Sequence, residues 1–475
     1  MGQTLGSERR RIHLLGIGGT GMSSLALHLQ NEGHQVSGSD RAATAVTARL
    51  EQAGIPVDLS ESRLPPGLER LVVSSAIGAD HPLLMEGHRL GLEVVHRSQE
   101  LSRLFNASRG VAVAGSHGKT TVSSMLTHVL AACGESPSAM IGGKLVGYEQ
   151  AFLGCGPFVT EADESDGSLL AYRPQHAVIT SVDDDVNVTA RAYADCGYQR
   201  RLVQETVDSV FQRFARGCQK SLWVCHEHAR AAALFGHWPG IKSYGVDGCC
   251  TLRAETIERG PLHTVVKVVF KGRPLGVMRV PLPGHHNVMN SLAATGLALD
   301  LGLRFPDIAH AIAMFAGVER RFQVLGRKQG AVCIDDYAHN PQKVTAALQA
   351  ALQASRGRVI ALFQPHRYTR MKLLGQDFLP ALDGADQVLL TDVYSSGEEP
   401  NGFDIRPFYH QLLERSPAET VHWTPDREGV FRALEQIARP GDIVISLGAG
   451  DCGAWLAEWL EQPRSEESDP SEMAA

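Results

Sequence analysis

The stretch from residue 110 to residue 132 leaves this chain little choice of fold. Gly110-Val111-Ala112-Val113-Ala114 is a short apolar run, and Gly115-Ser116-His117-Gly118-Lys119-Thr120-Thr121 follows it, before the helical Val122 to Ala132. A strand that feeds a helix through glycines, a lysine and a threonine predicts an α/β fold, with the loop at the carboxyl edge of a parallel sheet. In such a loop the backbone N–H groups cradle phosphates, Lys119 reaches the terminal ones, and the Thr120 hydroxyl can bind Mg2+. Strict P-loop spacing puts glycine at 113, where Val113 stands, so this loop is a variant.

A second glycine loop comes earlier. Gly16-Ile17-Gly18-Gly19-Thr20-Gly21 lies between apolar Ile12-His13-Leu14-Leu15 and a helical stretch to about Leu29. Asp40 stands 19 residues beyond the last of these glycines, after the strand-like Gln35-Val36-Ser37-Gly38. Taken alone, this G-x-G-x-x-G reads as an NAD site with Asp40 on a ribose, although its N–H donors suit other phosphate-bearing ligands equally well.

Two such loops fit the glycine content: 48 glycines in 475 residues, about a tenth of the chain, against a usual ~7%. The length predicts roughly three domains, and strand signals restart near Ile12, Arg109 and Arg320. A net charge of −7 gives no support for a general nucleic-acid or anionic-membrane binder. Nine scattered cysteines without C-x-x-C read as reduced thiols of a cytoplasmic protein. No strongly apolar, charge-free span reaches membrane-crossing length, and glycines interrupt the one N-terminal stretch that mimics a signal peptide. The tail 463–475, rich in Ser, Glu and Pro, is expected to be disordered.

Further motifs follow strand-like runs. Glu161-Ala162-Asp163-Glu164-Ser165-Asp166 comes after Pro157-Phe158-Val159-Thr160, and carboxylates there suit Mg2+ held against a nucleotide. Pro283-Gly284-His285-His286-Asn287-Val288-Met289-Asn290 opens a helix on which Asn287 and Asn290 share a face. The adjacent histidines suggest a metal, but no further His or Cys stands at ligand spacing. Asp335-Asp336-Tyr337-Ala338-His339-Asn340-Pro341 and Phe363-Gln364-Pro365-His366-Arg367-Tyr368-Thr369-Arg370 each follow a strand; alone, either could be a capped turn or a phosphate-facing loop.

In this order the blocks GIGGTGMSSLA, VSGSD, VVSSAI, AGSHGKTT, EADESDGS, PGHHNVMNSLAAT, GVERRF, DDYAHNP and FQPHRYTR resemble the Mur ligase family over most of residues 12–460. The resemblance implies a three-domain α/β architecture: a Rossmann-like UDP-sugar domain at 1–107, a central P-loop ATP domain at 108–318 and a Rossmann-like C-terminal domain at 319–462. It replaces NAD by a UDP diphosphate in the first loop, with Gly18, Gly19, Thr20, Gly21, Met22, Ser39, Asp40 and Ser75 as substrate-binding residues. It implies ATP on Gly115, Ser116, His117, Gly118, Lys119, Thr120, Thr121, Asn287, Arg321 and Asp336, and Mg2+ on Thr120 and Glu161. Lys119, Glu161, His286, Asn290, Arg321 and His366 are implied as catalytic, and His339, Arg367 and Arg370 as facing the amino-acid and phosphate side. The implied reaction is ATP-dependent amide formation between L-alanine and the lactyl carboxylate of UDP-N-acetylmuramate, through an acyl phosphate, in peptidoglycan precursor synthesis. Small molecules are then the partners, with no nucleic acid and no membrane insertion, and the protein is a monomer or homodimer.

One departure stands out. After Val178-Ile179-Thr180-Ser181 the family carries Asp-His-x-Asp, whose His helps bind a second magnesium, whereas this chain reads Asp183-Asp184-Asp185-Val186-Asn187. Valine cannot ligate a metal. No lysine occurs between Lys144 and Lys220, so a carbamylated lysine cannot lie there. These changes keep two alternatives open: a ligase with another amino acid or sugar-nucleotide, and a catalytically impaired ligand-binding paralogue. An NAD oxidoreductase leaves the second loop unexplained.

Overall fold

The computed structural model describes residues 9–74, 76–148, 151–164, 168–183, 206–415 and 419–462. Ser75, Val186 with its neighbours 184–205, and the tail 463–475 lie outside the described residues. The chain forms two compact units: Met1–Ile257 with Val265–Pro281 and His285–Ala316, and Gly317–Ala475 with Glu258–Thr264 and Leu282–Gly284.

The first unit holds two sheets. Arg11–Leu15 (β1), Gln35–Ser39 (β2), Val57–Asp58 (β3), Arg70–Val73 (β4) and Glu93–His96 (β5) form a parallel sheet in the order β3-β2-β1-β4-β5. The order reverses at β1, so the first glycine loop leaves the sheet at its switch point, where a crevice opens at the strand ends. The second sheet contains Gly110–Ala114 (β6), Ser138–Met140 (β7), Phe158–Ala162 (β8), His176–Ile179 (β9), Ser221–Cys225 (β10), Lys242–Gly245 (β11), Leu252–Gly260 (β12), His263–Phe270 (β13) and Arg273–Val280 (β14). Their order is β14-β13-β12-β11-β10-β9-β6-β8-β7, with β6 paired in parallel to both β8 and β9. β6 is thus the switch strand of this sheet, and the GSHGKTT loop follows it. Every residue of β6 is buried, as its unbroken apolar run requires of a parallel strand covered on both faces.

An aromatic seam joins the two sheets of this unit. Phe105, from the helix Arg97–Asn106, meets Tyr172 edge-on at 5.0 Å, and His28, from the helix Thr20–Asn31, stacks on Phe158 at 5.0 Å. A side chain at Gly110 would press to 2.5 Å from the Phe105 ring, so glycine there lets the seam close. Burial drives the His28 pKa down to about 4, which keeps the ring neutral.

In the second unit, Gln323–Lys328 (β15), Ala331–Asp336 (β16), Val359–Phe363 (β17), Gln387–Leu390 (β18), Val421–Trp423 (β19) and Ile443–Leu447 (β20) form a sheet in the order β15-β16-β20-β17-β18-β19. β15 runs antiparallel and the rest are parallel. The loops after β16 and β17 therefore emerge at the same sheet edge, one strand apart. Among the described residues no helix is long and apolar enough to cross a membrane.

One charged interaction lies inside the first sheet's packing. Arg70, 2% exposed, grips both oxygens of Glu100, 1% exposed, at 2.9 and 3.0 Å, and also bonds Glu93 at 2.7 Å. Removing Arg70 leaves the buried Glu100 carboxylate with only the half-exposed Arg103, 3.3 Å away, to meet it. Arg70→Met should lower the unfolding free energy of this unit by roughly 3–5 kcal/mol in urea titration followed by circular dichroism. Arg70→Met combined with Glu100→Leu should recover most of it; an equal loss in both variants would contradict the pairing argument.

Candidate active site

The GSHGKTT loop is shaped from beneath by the end of β9. Thr180 Oγ1 lies 3.1 Å from the Ala114 carbonyl and against that of His117, while the His117 N–H donates to Ser181 Oγ at 2.9 Å. Gly115 (φ +136°) and Gly118 (φ +80°) take conformations that favour glycine. Side chains there would also collide, at 2.1 Å from Thr180 Oγ1 and 2.7 Å from Asn290 Oδ1. Among the described residues no side chain caps the helix Lys119–Ala132, and its first turn carries no acid. An uncapped helix N-terminus beneath a glycine loop suits an anion, and phosphates fit it.

Parallel register brings the acids to this loop. Val113 of β6 pairs with Glu161 of β8, and Ala114 with Ala162, so the chain leaving β8 runs beside the loop leaving β6. Lys119 Nζ bonds Glu164 Oε2 at 2.7 Å and stands 4.0 Å from Asp163. Burial works against the ammonium charge, but the Glu164 and Asp163 carboxylates outweigh it and hold the Lys119 pKa above its ordinary value. Glu161 accepts from the Thr120 hydroxyl at 3.1 Å through one oxygen and from the Gly142 N–H at 2.6 Å through the other. Burial pushes the Glu161 pKa up, against the pull of Gly142 and Lys119. Thr120 and Glu161 present adjacent hard oxygen donors, which fit Mg2+. The acidic run reads in sequence as equivalent carboxylates; the structure gives Glu164 the lysine and Glu161 the threonine.

The helix His285–Asp300 approaches from the other side. Asn287 and Asn290 are buried on one face, with Asn290 Nδ2 donating to Asn287 Oδ1 at 3.2 Å and Asn290 Oδ1 beside Gly118; His286 is exposed on the first turn. A residue the sequence did not single out joins the loop's flank. His228 Nδ1 accepts the Ala231 N–H, so its Nε2 carries the proton toward Asp183 Oδ1 at 3.2 Å. The second Asp183 oxygen stands 3.5 Å from His117 Nε2.

At the first glycine loop, the Gly16 and Ile17 N–H groups both donate to the Ser39 carbonyl, at 2.9 and 3.0 Å. Asp40 Oδ2 accepts the Gly18 N–H at 2.8 Å, and a side chain at Gly18 would come within 2.9 Å of that oxygen. Gly19 is the N-cap of the helix Thr20–Asn31, which has no side-chain cap among the described residues, and Gly21 lies against Arg97. Met22 packs into the core, and the buried Ser39 hydroxyl lies 3.3 Å from His13, so both support the loop from below.

In the second unit, Asp336 at the end of β16 accepts the Phe322 N–H at 2.8 Å, and burial raises its pKa to about 6 against the pull of Arg321. The Arg321 guanidinium sits 5.5 Å over the Tyr337 ring, which Arg320 also faces at 4.8 Å. His366 Nδ1 accepts from Arg370 at 2.9 Å, and its ring stacks on Tyr394 at 5.7 Å. His339 Nδ1 donates to the Tyr337 carbonyl at 2.8 Å, with its ring 6.1 Å from that of His366. Burial first, then the neighbouring cations, pushes His339 to about 3 and His366 to about 4. Both are neutral near pH 7. They are therefore weak bases, suited to hydrogen bonding rather than to taking a proton from an ammonium. Arg367 has φ +67°, and its buried Nε finds no hydrogen-bond partner among the described residues. A buried guanidinium N–H left over beside Arg370 fits an anionic ligand group.

Comparison with known proteins shows the family of the chain. Residues 11–109 match the model "Mur ligase family, catalytic domain", and residues 320–450 match "Mur ligase, glutamate ligase domain". UDP-N-acetylmuramate–L-alanine ligase of Rubrobacter xylanophilus is 39% identical over 451 residues, which covers 93% of this chain and 97% of that protein. The corresponding protein of Pelotomaculum thermopropionicum is 38% identical over 94% of this chain and 95% of its own length. The chain belongs to the Mur ligase family. The crystal structure of the Thermotoga maritima UDP-N-acetylmuramate–alanine ligase superposes with a TM-score of 0.75 at 26% identity, covering 95% of this chain and 98% of that one. A murein peptide ligase from Psychrobacter arcticus shares the fold, with a TM-score of 0.65 over 95% of this chain. The three sheets are those of the three-domain Mur ligase architecture, and the chain is a ligase of amino acids and sugar-nucleotides that uses ATP.

The low His339 pKa has a consequence for stability. The folded protein refuses a proton there until about pH 3, whereas an unperturbed imidazole takes one near 6.5. The unfolded chain thus binds the extra proton, and stability falls as pH drops through that window. His339→Gln should lose less stability than the parent chain between about pH 6.5 and 5 when thermal unfolding is compared. Parallel losses would mean that His339 is not held neutral.

Proposed function

We propose that this Mur ligase joins L-alanine to the lactyl carboxylate of UDP-N-acetylmuramate, with ATP as the phosphoryl donor. The observation that carries the chemistry is the GSHGKTT loop, where Lys119 and the Thr120–Glu161 oxygen pair meet above an uncapped helix. Relatives named for L-alanine addition, similar over nearly their whole length, support the acceptor and the sugar-nucleotide.

A carboxylate expels oxide poorly, so phosphorylation first converts one carboxylate oxygen into part of a leaving group. Lys119 meets the negative charge on the transferring phosphoryl group and leaves its Glu164 partner to do so. Thr120 and Glu161 would hold Mg2+, which neutralises phosphate charge when bound. Asn290 borders the loop at Gly118, and His286, exposed on the first turn of the same helix, would face the nucleotide side. Arg367 and Arg370, together with the Nε2–H of the neutral His366 ring, supply donors for the phosphate and the amino-acid carboxylate, while the neutral His339 ring, whose proton is held by the Tyr337 carbonyl, presents an acceptor Nε2. The amine then attacks the acyl carbon, and phosphate departs with the former carboxylate oxygen. The N-terminus of Thr20–Asn31, which the first glycine loop and Asp40 position, offers N–H donors to the UDP diphosphate.

A second reading keeps the chemistry and changes the amino acid, and the Val186 sequence favours it. Phosphate release from MgATP and UDP-N-acetylmuramate, with amino acids supplied one at a time, separates the two. Alanine-dependent release with formation of the amide supports the first, and release with another amino acid alone supports the second. Lys119→Ala should lower ligation at least ~100-fold while leaving UDP-N-acetylmuramate binding intact by calorimetry. Unchanged turnover would remove the loop from the reaction.

A further inference from the structure

A cluster of soft ligands lies outside the machinery described above. His226 follows the last residue of β10, and Cys249 and Cys250 sit in the turn after β11. One ligand atom from each lies within 4.8 Å of the others, the one such group of His, Cys, Asp or Glu among the described residues. His226 Nε2 faces Cys249 Sγ at 3.3 Å, and the same nitrogen stands 3.9 Å from Asp247 Oδ2. Bond lengths to tetrahedral zinc separate neighbouring N and S ligands by about 3.5 Å and two sulfurs by about 3.8 Å. The observed spacings thus need only small rotations about side-chain bonds.

Backbone N–H groups hold this arrangement. The His226 N–H donates to the Tyr244 carbonyl at 2.9 Å, which fixes it against β11. The Cys249 N–H donates to Asp247 Oδ1 at 3.1 Å, and the Cys250 N–H to the Asp247 carbonyl at 3.2 Å, so the turn presents both sulfurs together. Gly245 leaves room for Cys250 Sγ, which a side chain there would meet at 3.1 Å. Cys249 is exposed and His226 partly so, and hydrophobic packing gives neither an evident reason to face the other.

We propose that His226, Cys249 and Cys250, with Asp247 completing the shell, form a zinc-binding site. Two thiolates and an imidazole select zinc over the hard cations that the oxygen pair at Thr120 and Glu161 would hold. The metal clips the turn after β11 to the end of β10. The adjacent Glu227 accepts the Val246 N–H at 2.7 Å and pairs with His285, the first residue of the helix that carries His286, Asn287 and Asn290. The clip therefore stiffens the base of a helix that borders the phosphate loop.

Cobalt titration of the reduced, metal-stripped full chain reads the site directly. The parent chain should show thiolate-to-cobalt charge transfer and the intense visible bands of tetrahedral Co2+, saturating at about one ion per chain and displaced by zinc. Cys249→Ser and His226→Ala, at side chains that are not buried, should each weaken binding at least ~tenfold, whereas Cys155→Ser, at another exposed cysteine, should not. Zinc should raise the melting temperature of the parent chain and not that of Cys249→Ser. Absence of the charge-transfer band in the parent chain, or equal binding by Cys249→Ser, would overturn the proposal.

Discussion

The buried ammonium of Lys119 is the constraint on which the central part of this molecule turns. A lysine taken from water must be paired, and here Glu164 and Asp163 do the pairing while Glu161 is held by Thr120 and Gly142. None of these meetings is local in sequence. They exist because β6 and β8 run parallel in a fixed register, Val113 beside Glu161, so that two chains leave the sheet together. The glycines at 115 and 118 let the loop pass close to Thr180 and Asn290 without collision. The result is a loop whose one ammonium carries its own counter-ions, ready to exchange them for phosphate.

The second unit handles charge in another way. Arg320, Arg321, Arg367 and Arg370 gather around the loops after β16 and β17, and among them His339 and His366 are kept neutral by burial and by those cations. A neutral ring adds a hydrogen-bonding group without adding repulsion among the arginines. Arg370 donating to His366 is a direct instance: the imidazole serves as the acceptor for a guanidinium.

Much of this was legible in the sequence because the chemistry dictates local pattern. The Gly115–Thr121 loop, the Asn287 and Asn290 face and the two glycine loops at strand ends follow from short-range rules of strand, turn and helix. The family resemblance turned the NAD reading of Gly16–Gly21 into one for a sugar-nucleotide. What stayed hidden depends on strand pairing. Nothing in Glu161-Ala162-Asp163-Glu164 says which acid takes the lysine. His228 meets Asp183 across 45 residues, and His226 meets Cys249 across 23, because β9, β10 and β11 lie side by side. Reading cysteine spacing along the chain could not reveal a cluster assembled by a sheet.

In the proposed reaction the Lys119 loop activates a carboxylate by phosphoryl transfer, and an isotope follows that bond directly. UDP-N-acetylmuramate carrying oxygen-18 in its lactyl carboxylate should yield, with ATP and L-alanine, inorganic phosphate that has gained one labelled oxygen. The transfer should disappear without ATP. Amide formation with unlabelled phosphate, or with AMP and pyrophosphate as products, would contradict the account.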